Sequence, residues 1–96
     1  MSKLTHADVD ARLAGLPGWT REGDAIHKQY TFAGFPEAVA FVSRLVPGVE
    51  AADHHPDLTI NYRTVLVAYS THSAGGLTEK DLAGARFVDE VHAGTA

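Results

Sequence analysis

The sequence predicts an α+β fold of order α-β-β-α-β-β-α, a four-stranded antiparallel sheet with its helices packed on one face. Three observations carry this. Two stretches alternate apolar and polar residues around a short turn, three others repeat apolar residues at steps of three and four, and the two kinds interleave without a dividing linker. Across 96 residues this makes one domain, 1–96, of a size at which self-association would add useful buried area.

The first helix starts at Thr5, because Thr5 with Asp8 has the spacing of a capping box and Leu4 with Val9 that of a hydrophobic staple. Val9 and Leu13 face inward, and Pro17 with Gly18 ends the helical stretch before Trp19 opens an extended one. Glu22, Gly23 and Asp24 turn the chain. Ile26, Tyr30 and Phe32 then alternate with His27, Gln29 and Thr31, the Lys28 stem being able to lie along the apolar face, so Trp19 to Phe32 reads as a hairpin.

The main core helix follows from Phe35, Ala38, Val39, Val42, Leu45, Val46 and Val49, with Pro36 suited to its first turn. Pro47 and Gly48 fall inside that pattern, and a proline there removes a backbone bond and presses on the Ser43 carbonyl. A kink or early stop near Val46 is expected, with a loose final turn carrying Glu50 and Asp53. Leu58, Ile60 and Tyr62, then Val65, Val67 and Tyr69, make the second hairpin. Counting by two puts Leu66, Ser70 and His72 opposite Val65 and Val67, away from the helices. Ser73 to Gly76 turns the chain again. Thr78 with Asp81 and Leu77 with Leu82 repeat the cap and staple spacings, so the last helix begins there. Leu82, Ala85, Val88 and Val91 form its inward face, and the tail after His92 is expected to fray.

Bulk properties narrow the function. A hydrophobic share of 45% against 21% charged residues is that of a folded domain rather than a disordered one. A net charge of -4 with scattered lysines and arginines offers no stripe for phosphates, so nucleic acid is not expected as a partner. No apolar run approaches the length of a membrane span, and the polar start MSKLTHADVDARL lacks a signal peptide's apolar region, which argues for the cytoplasm. The absence of cysteine removes disulfides, thiolate nucleophiles and cysteine-bound zinc together.

Chemistry concentrates between Glu50 and Asp81, which holds three of the six histidines. If the arms of the second hairpin pair, His54, His55 and His72 meet at its open end, and imidazole both gives and takes protons near neutral pH. A histidine-rich surface loop is the plain alternative. A metal site is another, although adjacent side chains such as His54 and His55 diverge and no helical histidine pair is present. Asp81 is already explained by capping, and Glu50 by an exposed last helical turn. Ser70, Thr71 and Ser73 flank a histidine without a glycine elbow or triad, and Gly75 with Gly76 is too plain for a phosphate loop. His6, His27 and His92 read as structural or solvated, the last suiting a helix C-terminus.

Together the motifs GW at Gly18 and Trp19, DAIHKQYTF at 24–32, DHHP at 53–56, Tyr62, STH at 70–72 and AGGLTEKD at 74–81 closely resemble the pterin-4a-carbinolamine dehydratases, in order and spacing from about Leu13 to Val91. The resemblance implies a lyase that removes water from 4a-hydroxytetrahydropterin to give quinonoid dihydropterin, in tetrahydrobiopterin recycling for aromatic amino acid hydroxylases. It implies no metal and no cofactor, and assembly as a homodimer or homotetramer. Carried over by position, the catalytic residues are His54, His55 and His72, supported by Glu50 and Asp81, with Trp19, Asp53, Pro56, Ser70, Thr71 and Ser73 contacting the pterin. In that reading His55 and His72 exchange protons with substrate, His54 and Glu50 position the ring, and Asp81 orients a histidine. Two positions depart from the family: the Pro47 and Gly48 interruption, and Ala74, where the animal member that doubles as a transcription-factor dimerisation cofactor has cysteine. The competing function is a non-catalytic dimerisation or assembly module on the same fold.

Overall fold

The computed structural model describes residues 2–94. Its elements run α1 (His6–Leu13), β1 (Thr20–Glu22), β2 (Ala25–Thr31), α2 (Phe35–Ala52), β3 (Asp57–Asn61), β4 (Thr64–Tyr69), a 3-10 turn (His72–Ala74) and α3 (Glu79–Ala93). The expected α-β-β-α-β-β-α order is present. The strands form one sheet in the order β1-β2-β4-β3, every pairing antiparallel.

Period-two alternation decides which face is covered. Ile26 and Tyr30 on β2, with Val65, Val67 and Tyr69 on β4, are buried against Ala38, Phe41, Leu45 and Val49 of α2 and Leu82, Ala85, Val88 and Val91 of α3. The exposed His92 lies at the margin of this core, its ring 4.8 Å from Tyr30 and edge-on to Phe32 and Phe41. The Thr5 hydroxyl caps α1 by accepting from the Asp8 N–H at 3.0 Å, and the Leu4 N–H donates to the Leu77 carbonyl at 2.7 Å, tying the N-terminal segment to the approach to α3.

Two expectations are corrected. The early stop near Val46 does not occur: α2 continues through Pro47 to Ala52. Tertiary packing carries it, since Leu45 and Val49 are buried on either side of the proline and Gly48 leaves room for the Phe87 ring, which a Cβ there would meet at 2.1 Å. Tyr62 is not a strand residue. β3 ends at Asn61, and Tyr62 takes a left-handed φ of 53° in the exposed hairpin turn. At the other end α3 reaches Ala93 and closes on Gly94, so of the tail expected to fray, residues 95–96 lie outside the described residues.

β3 is a sheet edge. Leu58 and Ile60 register with Val67 and Val65 and so share the helix side, yet they remain 38% and 39% exposed because the helices do not reach that far. Among the described residues no helix is long and apolar enough to cross a membrane.

Candidate active site

α2 ends at Asp53, whose left-handed φ of 48° reverses the chain while the His54 N–H reaches back to the Val49 carbonyl. The reversal turns His54 towards α3. There its Nε2 meets Asp81 Oδ1 at 2.6 Å, and its ring stacks on Tyr69 with centroids 5.3 Å apart. Asp81 is wholly buried. Its other oxygen, Oδ2, accepts from the Thr78 N–H at 2.9 Å and the Thr71 hydroxyl at 2.7 Å. The first of these belongs to the expected capping box. Thr71 arrives because the inward alternation of Val65, Val67 and Tyr69 continues one step past β4, where Thr71 bridges to Gly76. Three donors thus compensate a carboxylate taken out of water. Tyr69 responds to the same surroundings: burial, with the charge of Asp81 adding to it, pushes its phenol up to about 12.

His54 lines a cavity of about 220 Å³ between α2 and α3, walled by Gly48, Ala52, Tyr69, Gly84 and Phe87 with Lys80 at its margin. His55 turns the other way. Its Nε2 meets Glu50 Oε2 at 2.5 Å, both side chains more than half exposed, and with Pro56 it lines a cleft of about 200 Å³ between α2 and Leu58 of β3. So Glu50, on an intact last turn of α2, is well placed to partner a histidine despite Pro47.

His72 takes a third position. It sits in the 3-10 turn and lines a shallow concavity of about 450 Å³ with Asp24, Asp57 and Ser70. Asp57 registers with Ala68, on the face away from the helices, so His72 lies on the side that counting by two assigned to it. The Ser70 hydroxyl donates to the Asp24 carbonyl at 2.6 Å, and the hydrogen bond from His6 holds the Asp24 carboxyl below its usual range.

The expectation that the three histidines meet at one lip is therefore corrected. The hairpin arms pair, but His54, His55 and His72 line three different concavities. Neighbouring side chains in the extended loop diverge, and β4 ends before His72. Among the described residues, no three His, Asp or Glu side chains are grouped so as to hold a metal ion. What links the concavities is the loop itself: His54 faces the first, His55 and Pro56 the second, and Asp57 the third.

Of the expected pterin contacts, Pro56 and Ser70 line these concavities, while Asp53 and Ser73 are exposed on the loop and the 3-10 turn. Thr71 is buried with its hydroxyl turned to Asp81. Trp19 stands apart: its indole is 5% exposed, and its N–H donates to Asp89 Oδ2 at 3.1 Å. Asp89 also accepts from Lys28 Nζ at 2.9 Å and from the Tyr30 hydroxyl, whose pKa is pushed well above the ordinary phenol value by burial and by that bond. Sequence reading missed Tyr69 as a partner of His54, since its alternation marks it only as core. It also missed Asp89, whose donors lie 59 to 70 residues away.

Comparison with known proteins agrees with this architecture. The sequence model of the pterin 4 alpha carbinolamine dehydratase family matches residues 2–91. A Mycobacteroides abscessus protein, named as an inferred pterin-4-alpha-carbinolamine dehydratase, is 49% identical over 89 residues, covering 93% of this chain and 95% of that protein. One from Thermomicrobium roseum with the same name is 46% identical, covering 95% and 98%. The crystal structure of a transcriptional coactivator/pterin dehydratase from Brucella melitensis superposes with a TM-score of 0.88 at 32% identity, over 94% of this chain and 98% of that one. A pterin dehydratase-like protein identified as a RuBisCO assembly factor in the alpha-carboxysome shares the fold, with a TM-score of 0.63 at 22% identity over 81% of this chain and 89% of that one.

Proposed function

The chain belongs to the pterin 4 alpha carbinolamine dehydratase family, and we propose on that premise that it is a hydro-lyase converting 4a-hydroxytetrahydropterin to quinonoid dihydropterin and water by histidine acid/base catalysis. The observation that carries the mechanism is the buried Asp81 holding His54 Nε2 at 2.6 Å. A carboxylate only accepts, so Nε2 carries a proton, and in the neutral ring it is Nδ1 that holds the lone pair.

The reaction asks for little else. The C4a–O bond breaks as the leaving hydroxyl gains a proton, the N5 proton is lost, and the C4a=N5 double bond forms. Two groups in different protonation states serve these steps. His54 at Nδ1 is a base in kind. His55, set by Glu50, and His72, beside Asp57 and Ser70, are exposed imidazoles that exchange protons with solvent between turnovers. A pterin seated at the Asp53 to Asp57 loop is flanked by all three concavities. Its product serves an aromatic amino acid hydroxylase in the cytoplasm. Dehydration of freshly generated carbinolamine by His54→Ala, His55→Ala and His72→Ala is the test: each falls about 10²-fold, and unchanged turnover in all three overturns the site.

Self-association into a homodimer or homotetramer accompanies this function. Phe35 at 52%, Val46 at 53%, Leu58 and Ile60 leave an apolar surface along α2 and the free β3 edge. This surface also favours the second reading, an assembly module without catalysis. Light scattering separates the two when run beside the assay. Val46→Asp with Ile60→Asp shifts the protein to monomer, a mass unchanged from wild type rules the surface out, and an oligomer no faster than buffer at dehydration identifies the module.

A further inference from the structure

We propose that Thr71 is a positioning residue, whose hydroxyl, backed by that of Thr78, locks the Asp81 carboxylate in the orientation that holds His54 as its Nε2–H tautomer. The proposal deepens the dehydratase reading and rests on it for its catalytic consequence. Its geometry stands on direct contacts.

Thr71 is 5% exposed, and its Oγ1 lies 2.7 Å from Asp81 Oδ2 and 2.9 Å from Thr78 Oγ1. An ionised carboxylate has no proton to give, so the Thr71 hydroxyl donates to Asp81. That spends its single proton. The Thr78 hydroxyl must then donate to Thr71, and Thr78 Oγ1 in turn accepts from the Lys80 N–H at 3.2 Å. Every proton in the series has one direction, from the helix start through Thr78 and Thr71 to Asp81.

Capping does not require Thr71. The box is complete with Asp81 accepting from the Thr78 N–H and the Thr78 hydroxyl accepting from the first-turn backbone. Thr71 adds a second anchor to the same oxygen from a different element, the extension of β4, so the carboxylate plane is fixed from both sides and Oδ1 is left for His54. With the hydroxyl removed, Oδ2 keeps only its helix contact, and the carboxylate gains freedom to turn. Tyr69 stacks on the face of the His54 ring, and Lys80 lines the same cavity. The hydroxyl of Thr71 is thereby committed inward, so pterin recognition falls to its neighbours Ser70 and His72.

Thr71→Val and Thr71→Ser test the proposal in the intact protein, with nitrogen-15 correlation spectra of the His54 ring and dehydration kinetics read side by side. Wild type and Thr71→Ser are expected to show one Nε2–H tautomer. Thr71→Val is expected to show mixed tautomers and a kcat about tenfold lower, with KM within about twofold. Thr71→Ala removes the same hydroxyl without adding volume, and gives the same reading if valine hinders folding. An unaltered tautomer in the folded variant, or failure of serine to restore the wild-type spectrum, overturns the proposal. Mixed tautomers in Thr71→Val beside a wild type that does not dehydrate carbinolamine support the positioning and overturn only the dehydratase reading.

Discussion

Asp81 and Asp89 stand about 12 Å apart along α3, and each gathers three hydrogen-bond donors, all remote in sequence for Asp89 and one of them local for Asp81. Their donors differ in kind. Asp81, wholly buried, accepts from a backbone amide, a hydroxyl and an imidazole. Asp89, partly exposed, accepts from the Trp19 indole, the Lys28 ammonium and the Tyr30 phenol, with Lys28 also lying over the Tyr30 ring at 4.9 Å. The lysine neutralises Asp89, and the cluster clamps the β1–β2 hairpin to α3. Only the Asp81 cluster includes a group with a second titratable nitrogen beside a cavity. One device, a helix carboxylate with three donors, thus serves as scaffold in one place and as a candidate proton-handling site in the other. What separates them is the chemistry left over on the donors.

The largest effect expected from this contrast is on rate. Asp81→Asn should lower dehydration about 10²-fold, because an amide can hold either imidazole tautomer, whereas Asp89→Asn should leave the rate within about twofold. Steady-state assays of the two purified variants check this, and equal rate losses would break the comparison. Next in size is stability. Asp89→Asn strips the counter-charge from a half-buried lysine and should cost on the order of 2 kcal/mol in urea unfolding, while its activity at low denaturant persists.

The smallest effect concerns alkaline pH. Tyr69 has its phenol pushed up to about 12 from the ordinary 10.0. Above pH 10 the unfolded chain therefore releases a proton that the native chain retains, so stability is fully present below about pH 10 and declines as pH rises towards 12. Tyr30 acts in the same direction from the Asp89 cluster. Urea midpoints measured from pH 8.5 upward should fall less steeply in Tyr69→Phe than in wild type. Parallel curves would show that the Asp81 surroundings do not hold this phenol neutral.

Much of the Asp81 site was legible. Thr78 and Asp81 are three residues apart, and a capping box is a local interaction that needs no fold to be read. The histidines in the Asp53 to Pro56 loop and at His72 stand out by residue type alone. Their mutual placement was not legible. Whether adjacent His54 and His55 point together or apart depends on the left-handed turn at Asp53, and the partner of His54 lies 27 residues away. Pro47 shows the same limit from the other side. Its local cost is real, yet burial of Leu45 and Val49 and the seat of Phe87 on Gly48 outweigh it, which keeps Glu50 on a regular turn beside His55.

By itself the sequence determined the order of the seven helices and strands, the buried faces of β2, β4, α2 and α3, the start of α3 and the family resemblance carried by its histidine motifs. Those features depend on periodicity and on contacts within one element, where the chain holds the interacting residues a few positions apart. Only the tertiary structure decided that the histidines are dealt to three concavities, that Trp19 serves Asp89, and that Thr71 turns inward to Asp81. Each of these is settled when α2, β4 and α3 close on one another, because a polar group sealed from water must find its partner among whatever side chains that packing brings within reach.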